Sequence, residues 1–149
     1  MTALLITGSR SLSTRGQSIR RSRILVAWSI LSLSPTVVVF GDAVGPDEYA
    51  RDVCHLLRIP YRLWALSGWI DDGNASRPWV KDGDDPEHTS RWPLIRDERM
   101  VAAVAHHYPG ANCVALVDPC STTHGTEHTA WLAQRAGLRV IWCAYGDVT

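Results

Sequence analysis

The sequence predicts an α/β domain in which helices cover both faces of a doubly wound parallel sheet of about five strands. Short, continuous apolar runs recur along the chain, and segments of helical length separate them. Apolar runs without polar alternation are typical of strands buried on both faces, and their alternation with helices makes neighbouring strands parallel. The 149 residues suffice for one domain with a sizeable core but not for two. We expect a single domain over residues 1–149, with the strand order 3-2-1-4-5.

Each expected element follows from its apolar pattern and from the residues that end it. The expected strands span residues 3–7, 36–40, 60–66, 113–117 and 138–143, and the expected helices span residues 17–33, 46–57, 94–108 and 125–136. Pro46, Asp47 and Glu48 suit the first turn of the second helix, where an N–H is dispensable and negative charge is favourable. Gly137 suits the left-handed turn that ends the last helix.

Residues 67–92 interrupt this alternation. The segment has no helical or strand period and holds six acidic residues, three glycines and two prolines. Four tryptophans lie on or beside it, at positions 64, 69, 79 and 92. We interpret it as an irregular insertion, and its pattern fits a surface excursion pinned by tryptophan packing, a lid or a dimer contact.

Charge and cysteine content exclude several classes of protein. Fifteen basic residues balance fifteen acidic ones, which argues against nucleic acid as a partner but permits a local phosphate site. The four cysteines form no C-x-x-C pair, which argues against a zinc or redox motif. Cys113 and Cys143 lie in apolar runs and are expected to be buried, and a reducing, cytoplasmic compartment is the simplest interpretation. The apolar run at the start lacks the basic flank of a signal peptide, and no run approaches the ~20 residues of a membrane span.

Polar, glycine-bearing turns follow three of the expected strands. They are Gly8-Ser9-Arg10 after the first strand, residues 41–47 after the second and residues 118–126 after the fourth. Ligands of open parallel sheets bind at the carboxyl ends of the strands, where glycine admits a ligand and helix N-termini attract anions. The sequence therefore predicts an anion-accepting rim, although each glycine is also explained by turn chemistry alone.

Four motifs in order resemble one known superfamily. They are T-G-S-R at 7–10, G-D-A-V-G-P-D-E-Y-A at 41–50, R-D-E-R-M at 96–100 and G-T-E-H-T at 125–129. Together they resemble the SLOG superfamily, a Rossmann-like group that includes DprA-like DNA-processing proteins and LOG-like phosphoribohydrolases. Within it the pattern is most similar to the small YspA/YpsA-like proteins of bacteria and phages. The resemblance covers nearly the whole chain except residues 67–92.

The resemblance implies a site for a nucleotide or a nucleotide-derived, ADP-ribose-like small molecule, and it implies a homodimer. The candidate ligand-binding residues are Gly8, Ser9, Arg10, Gly41, Asp42, Gly45, Asp47, Arg96, Met100, His124, Gly125 and Thr126. Arg96 suits a phosphate or ribose contact, but it could instead pair with Asp42 or Asp47. We expect no cofactor. We also expect no metal site, because His124 falls in the turn before the helix that carries His128.

Three departures from the family pattern leave catalysis open. Asp42 replaces a glycine, Asp97 replaces the asparagine after the arginine, and Thr129 stands where LOG-like enzymes carry a glutamate. An enzyme would need another acid–base group, for which Asp42, Asp118 and Glu127 are the candidates. Asp118 could equally cap its own turn. Two hypotheses remain, namely a nucleotide-binding sensor or sequestering protein and a nucleoside-monophosphate phosphoribohydrolase.

Overall fold

The fold is described from a computed structural model, over residues 2–13, 16–41, 45–65, 68–71, 92–118 and 125–144. The strands in this part of the chain are β1 Ala3–Gly8, β2 Val37–Gly41, β3 Tyr61–Ala65, β4 Gly68–Asp71, β5 Asn112–Val117 and β6 Arg139–Ala144. The α-helices are α1 Gly16–Leu33, α2 Pro46–Leu57, α3 Trp92–His107 and α4 Gly125–Arg135, and a short 3-10 turn spans Arg10–Ser13.

The strands form one sheet in the order β4-β3-β2-β1-β5-β6. All neighbours pair in parallel except β3 and β4, which pair antiparallel with Trp64 opposite Trp69. The five parallel strands lie in the order β3-β2-β1-β5-β6 and confirm the predicted α/β fold. Counted along the chain without the added strand β4, this is the predicted order 3-2-1-4-5. Because the chain leaves β1 towards β2 and later returns to the other side of β1 as β5, the order reverses between β1 and β5. A ligand cleft is expected at that reversal, beside the carboxyl ends of the strands.

Strand β4 lies inside the segment that the sequence predicts to be irregular. Gly68–Asp71 extends the sheet by one edge strand, and α3 begins at Trp92, slightly before the predicted start. The strand is too short for its apolar period to be recognised. The lid or dimer contact considered for this segment falls mainly on residues 72–91, which lie outside the described residues.

Two helix pairs cover the two faces of the sheet. Alternate residues of β1 point to opposite faces, so Leu4 and Ile6 join the core under α1 and α2 while Ala3 and Leu5 join the core under α3 and α4. The central strands are thus buried on both faces, as continuous apolar runs require. Among the described helices, none combines the length and the apolar character needed to cross a membrane.

The cores enclose two thiols. Cys54 on α2 and Cys113 on β5 expose 1% and 0% of their surface, and burial raises the pKa of each to about 12. Cys143 on β6 is only half-buried, although its apolar run predicts a buried side chain, and burial raises its pKa as well. Buried thiols of this kind behave as small apolar side chains rather than nucleophiles.

Replacing Gly8 by alanine is expected to lower the free energy of unfolding by about 1–3 kcal/mol. A Cβ on Gly8 would overlap the ring of Pro46, with its distance to the ring Cβ only 2.5 Å. Urea denaturation measures the change. Gly125→Ala is the control, because a Cβ there meets nothing within 4 Å, and that variant should not be destabilised. Equal destabilisation of both variants would contradict the close packing at Gly8.

Stability should fall at alkaline pH because of the two buried thiols. In the unfolded chain each thiol ionises near its ordinary pKa of 9.0, whereas the folded thiols hold their protons to about 12. Their contribution is therefore fully present below pH 9.0 and is lost as the pH rises towards 12. Urea denaturation at a series of pH values across this range measures the free energy of unfolding. Its decrease with pH should be about 1 kcal/mol per pH unit shallower in Cys113→Ala than in the natural chain. Identical slopes would show that the thiol ionises equally in both states.

Candidate functional site

The end of β1 is joined to the end of β5 by short hydrogen bonds. The backbone N–H of Ser9 donates to the carbonyl of Leu116 at 3.0 Å, and the N–H of Asp118 donates to the Ser9 hydroxyl at 3.1 Å. Ser11 donates its hydroxyl to the Asp118 carboxylate at 2.7 Å. Asp118 is buried and holds the 3-10 turn, in addition to any role towards a ligand. Ser11 carries no motif, and the sequence reasoning missed it.

Glycine at position 41 lets two charged side chains approach the end of β2. A Cβ on Gly41 would lie 3.0 Å from Asp47 Oδ2 and 3.3 Å from Arg96 Cζ. The Asp47 carboxylate and the Arg96 guanidinium therefore lie together against the bare Cα of Gly41. This arrangement brings together three of the predicted site residues, one from each of β2, α2 and α3.

Arg96 forms a buried ion pair with its neighbour in the chain. Its Nε and one terminal nitrogen donate to Asp97 Oδ1 at 3.0 and 2.9 Å, and the side chains expose only 6% and 10% of their surface. The sequence reasoning considered Asp42 and Asp47 as partners for Arg96 but not Asp97. Consecutive residues of a helix do not face each other, so their spacing gives no signal for this pair.

Thr129 extends the pair from α3 to α4. Its hydroxyl lies 3.1 Å from Asp97 Oδ2 and 2.9 Å from the carbonyl of Gly125, and its single hydrogen can serve either acceptor. Thr129 is completely buried. Thr129, where the resemblance to LOG-like enzymes would imply a glutamate, supplies a hydroxyl instead. That hydroxyl contacts the carboxylate of Asp97 on the neighbouring helix.

The start of α2 supplies its own cap. Gly45 has a φ of 94°, and its N–H donates to the Glu48 carboxylate at 2.9 Å. Pro46 has no N–H to offer. Carboxylates of Glu48 and Asp47 therefore occupy the first turn, as the sequence predicts for the positive end of this helix.

The other predicted residues have different surroundings. Met100 is buried in the core under α3 and α4. Thr126 is buried at the start of α4, Gly125 beside it is half-buried and Glu127 is exposed. Asp42, His124 and the side chain of Arg10 lie outside the part of the chain that the structure describes. Within that part, no group of three or more histidine, cysteine or acidic side chains is placed to hold a metal ion.

Structural comparison finds similarity to two known proteins. The molybdenum cofactor carrier protein from Chlamydomonas reinhardtii is 10% identical, with a TM-score of 0.43 over 95% of this chain and 90% of that one. DNA processing protein A from Streptococcus pneumoniae is 14% identical, with a TM-score of 0.44 over 95% of this chain. This chain spans only 58% of the length of that second protein. No protein-family model and no curated protein matches the sequence.

Thr129→Val is expected to lower the free energy of unfolding by about 1–2 kcal/mol, because it removes a hydrogen bond to the buried Asp97 carboxylate. In a double-mutant cycle with Asp97→Asn, the two effects should be non-additive by at least about 0.5 kcal/mol. Thr36→Val is the control, since the hydroxyl of Thr36 donates to the carbonyl of Thr2 at an exposed site. Additive effects in the cycle would mean that Thr129 stabilises α4 alone.

Proposed function

We propose that this chain binds a nucleotide-derived small molecule, of the ADP-ribose type, at the carboxyl edge of the sheet and acts as a sensor or sequestering protein. The observation that carries the proposal is the Arg96 guanidinium, restrained by Asp97 against the bare backbone of Gly41. A guanidinium held in this way loses little conformational freedom when a ligand arrives, so its hydrogen bonds contribute more to affinity.

The charges of the edge indicate which part of the ligand contacts which residues. Asp47 is buried on the first turn of α2, against Gly41 at the end of β2, and Asp118 is buried just after β5. Buried carboxylates accept hydrogen bonds from ribose hydroxyls and repel phosphate. We therefore assign the ribose to these carboxylates. We assign a phosphate to Arg96 and to the N-terminus of α4, where the backbone amides of Gly125 and Thr126 begin the helix.

One observation favours a second candidate, hydrolysis of the N-glycosidic bond of a nucleoside monophosphate. By the motif resemblance, Thr129 stands where LOG-like enzymes carry a glutamate, but the Asp97 carboxylate lies 3.1 Å from the Thr129 hydroxyl. A carboxylate from α3 is therefore close to position 129, where α4 itself carries no carboxylate. The Asp97 carboxylate is closely paired with Arg96, which favours a role in positioning Arg96 over a role in acid–base catalysis. Hydrolysis is therefore the second candidate.

A nucleotide panel distinguishes the two functions. The chain is incubated with AMP, NAD, ADP-ribose and cyclic ADP-ribose, and both the melting temperature and the products are followed. We expect at least one compound to raise the melting temperature and to be recovered intact, whereas release of free base would support hydrolysis.

Arg96→Lys tests the residue that carries the proposal. It keeps the positive charge but loses the planar donors, and it should weaken binding at least about tenfold. Arg139→Lys is the matched control, because Arg139 is exposed at the start of β6, on the opposite edge of the sheet. If no compound changes the melting temperature of the natural chain, the proposed function is wrong.

A further inference from the structure

The side of β6 that faces away from β5, here called the β6 edge, carries backbone groups directed away from the sheet. In the described part of the chain β6 is the last strand of the sheet. The backbone N–H of Arg139 donates to the carbonyl of Ala111, just before β5. Backbone groups of a parallel strand alternate in direction, so every second residue from Arg139 onwards bonds β5. The N–H and carbonyl groups of Val140 and Trp142 therefore face outward.

Two exposed tryptophans lie on β6 and on the helix that packs against it. Val140 packs against the core under α3 and α4, so Trp142, two residues later, points to the same face of the sheet. Trp142 exposes 51% of its surface, and Trp131 on α4 exposes 49%. The Arg135 guanidinium lies 4.5 Å from the centre of the Trp131 ring. The α4 side of the β6 edge thus offers large apolar surface next to a cation.

The two edges of the sheet differ in their protection against pairing with another chain. An open edge strand is a template for such pairing, and proteins prevent it with short edge strands, charged side chains or proline. At one edge, β4 has only four residues and ends in Asp71. At the other edge, β6 has six residues, and the five that follow Arg139 are uncharged and include no proline. The β6 edge therefore lacks the protection that β4 has.

The charge beside the β6 edge is positive. Arg135 ends α4 and Arg139 begins β6, so both cations lie near the amino end of the strand, and both are exposed. Strands β5 and β6 contain no acidic residue, and α4 contains none after Glu127. A chain that pairs with this edge is therefore favoured when it brings carboxylates to the amino end of β6.

We propose that the β6 edge binds an extended segment of another protein, which adds a strand to the sheet and places acidic residues beside Arg135 and Arg139. The outward N–H and carbonyl groups of Val140 and Trp142 pair with the backbone of that segment. Its apolar side chains on the α4 side pack against Trp142 and remove the indole ring from water. The acidic residues fix the position of the segment along the edge.

Charge argues against a second copy of this chain as the occupant. Two copies joined along β6 by a twofold axis would place the start of each strand beside the end of the other. Because β6 contains no acidic residue, neither copy would bring a carboxylate to the other's Arg139. The inference does not depend on the proposed ligand, since it uses no residue assigned to ribose or phosphate.

Fluorescence anisotropy with labelled synthetic peptides tests the β6 edge of the whole chain. One probe has two glutamates followed by alternating valine and threonine, and a second has the reverse order, so both strand directions are covered. We expect at least one probe to bind. In an added strand only alternate N–H groups face β6. N-methylation of that set should weaken binding at least about tenfold, and N-methylation of the other set less than about twofold.

Val140→Pro tests whether β6 itself supplies a donor. The N–H of Val140 faces outward, so proline removes a donor for the peptide without removing a bond of the sheet. The affinity for the probe should fall at least about fivefold. Val140→Thr is the matched control, because it keeps both the N–H and the branched Cβ, and it should change the affinity less than about twofold. Circular dichroism confirms that both variants are folded.

Arg139→Glu tests the contribution of charge. The dissociation constant for the probe should rise about threefold to tenfold at low salt, and less at high salt. Arg99→Glu is the matched control, since it makes the same change of charge at an exposed position of α3 and should leave binding unchanged.

Four outcomes would overturn the proposal. Neither probe binds the natural chain, both methylated forms bind equally well, or Val140→Pro and Val140→Thr have equal effects. The fourth is a natural chain that sediments as a dimer and becomes monomeric in Val140→Pro, which would identify a second copy as the occupant.

Discussion

The buried ion pair between Arg96 and Asp97 is the interaction on which the carboxyl edge depends. It lies where α3 meets α4, and Thr129 connects the two helices through the second oxygen of the same carboxylate. Removing one member of a buried pair leaves an uncompensated charge, which costs about 3–5 kcal/mol. The pair therefore fixes both the guanidinium and the relative position of α3 and α4.

Two glycines allow close packing of the backbone, and this packing determines where the other elements of the carboxyl edge lie. Gly8 lies against the ring of Pro46, which brings the end of β1 to the start of α2. Gly41 lies against Asp47 and Arg96, which brings the end of β2 to α2 and α3. In both places a Cβ would separate elements that are in close contact. The glycines thus determine the shape of the edge even where they contact no ligand.

The electrostatics of the edge differ from those of a simple phosphate site. The buried side chains described there include Arg96 and the carboxylates of Asp47, Asp97 and Asp118. Under the proposed function, backbone amides and Arg96 supply the attraction for a phosphate, while the carboxylates suit hydroxyl groups. This balance agrees with a ligand that combines a sugar with few phosphates, and it agrees less well with a polyphosphate or a nucleic acid.

The sequence by itself determined the parallel sheet and its strand order, because apolar runs and helical periods are local signals. It did not reveal strand β4, whose few residues are too short to show a period. It also did not reveal Asp97 as a partner of Arg96 or the Glu48 cap at Gly45. The Arg96–Asp97 pair was decided by the tertiary structure, because both side chains are buried where α3 meets α4. The Glu48 cap is a local contact between residues three apart in the chain. The exposure of Trp142 was also decided by the tertiary structure, because its strand is a continuous apolar run and only the packing around β6 shows which of its side chains are covered.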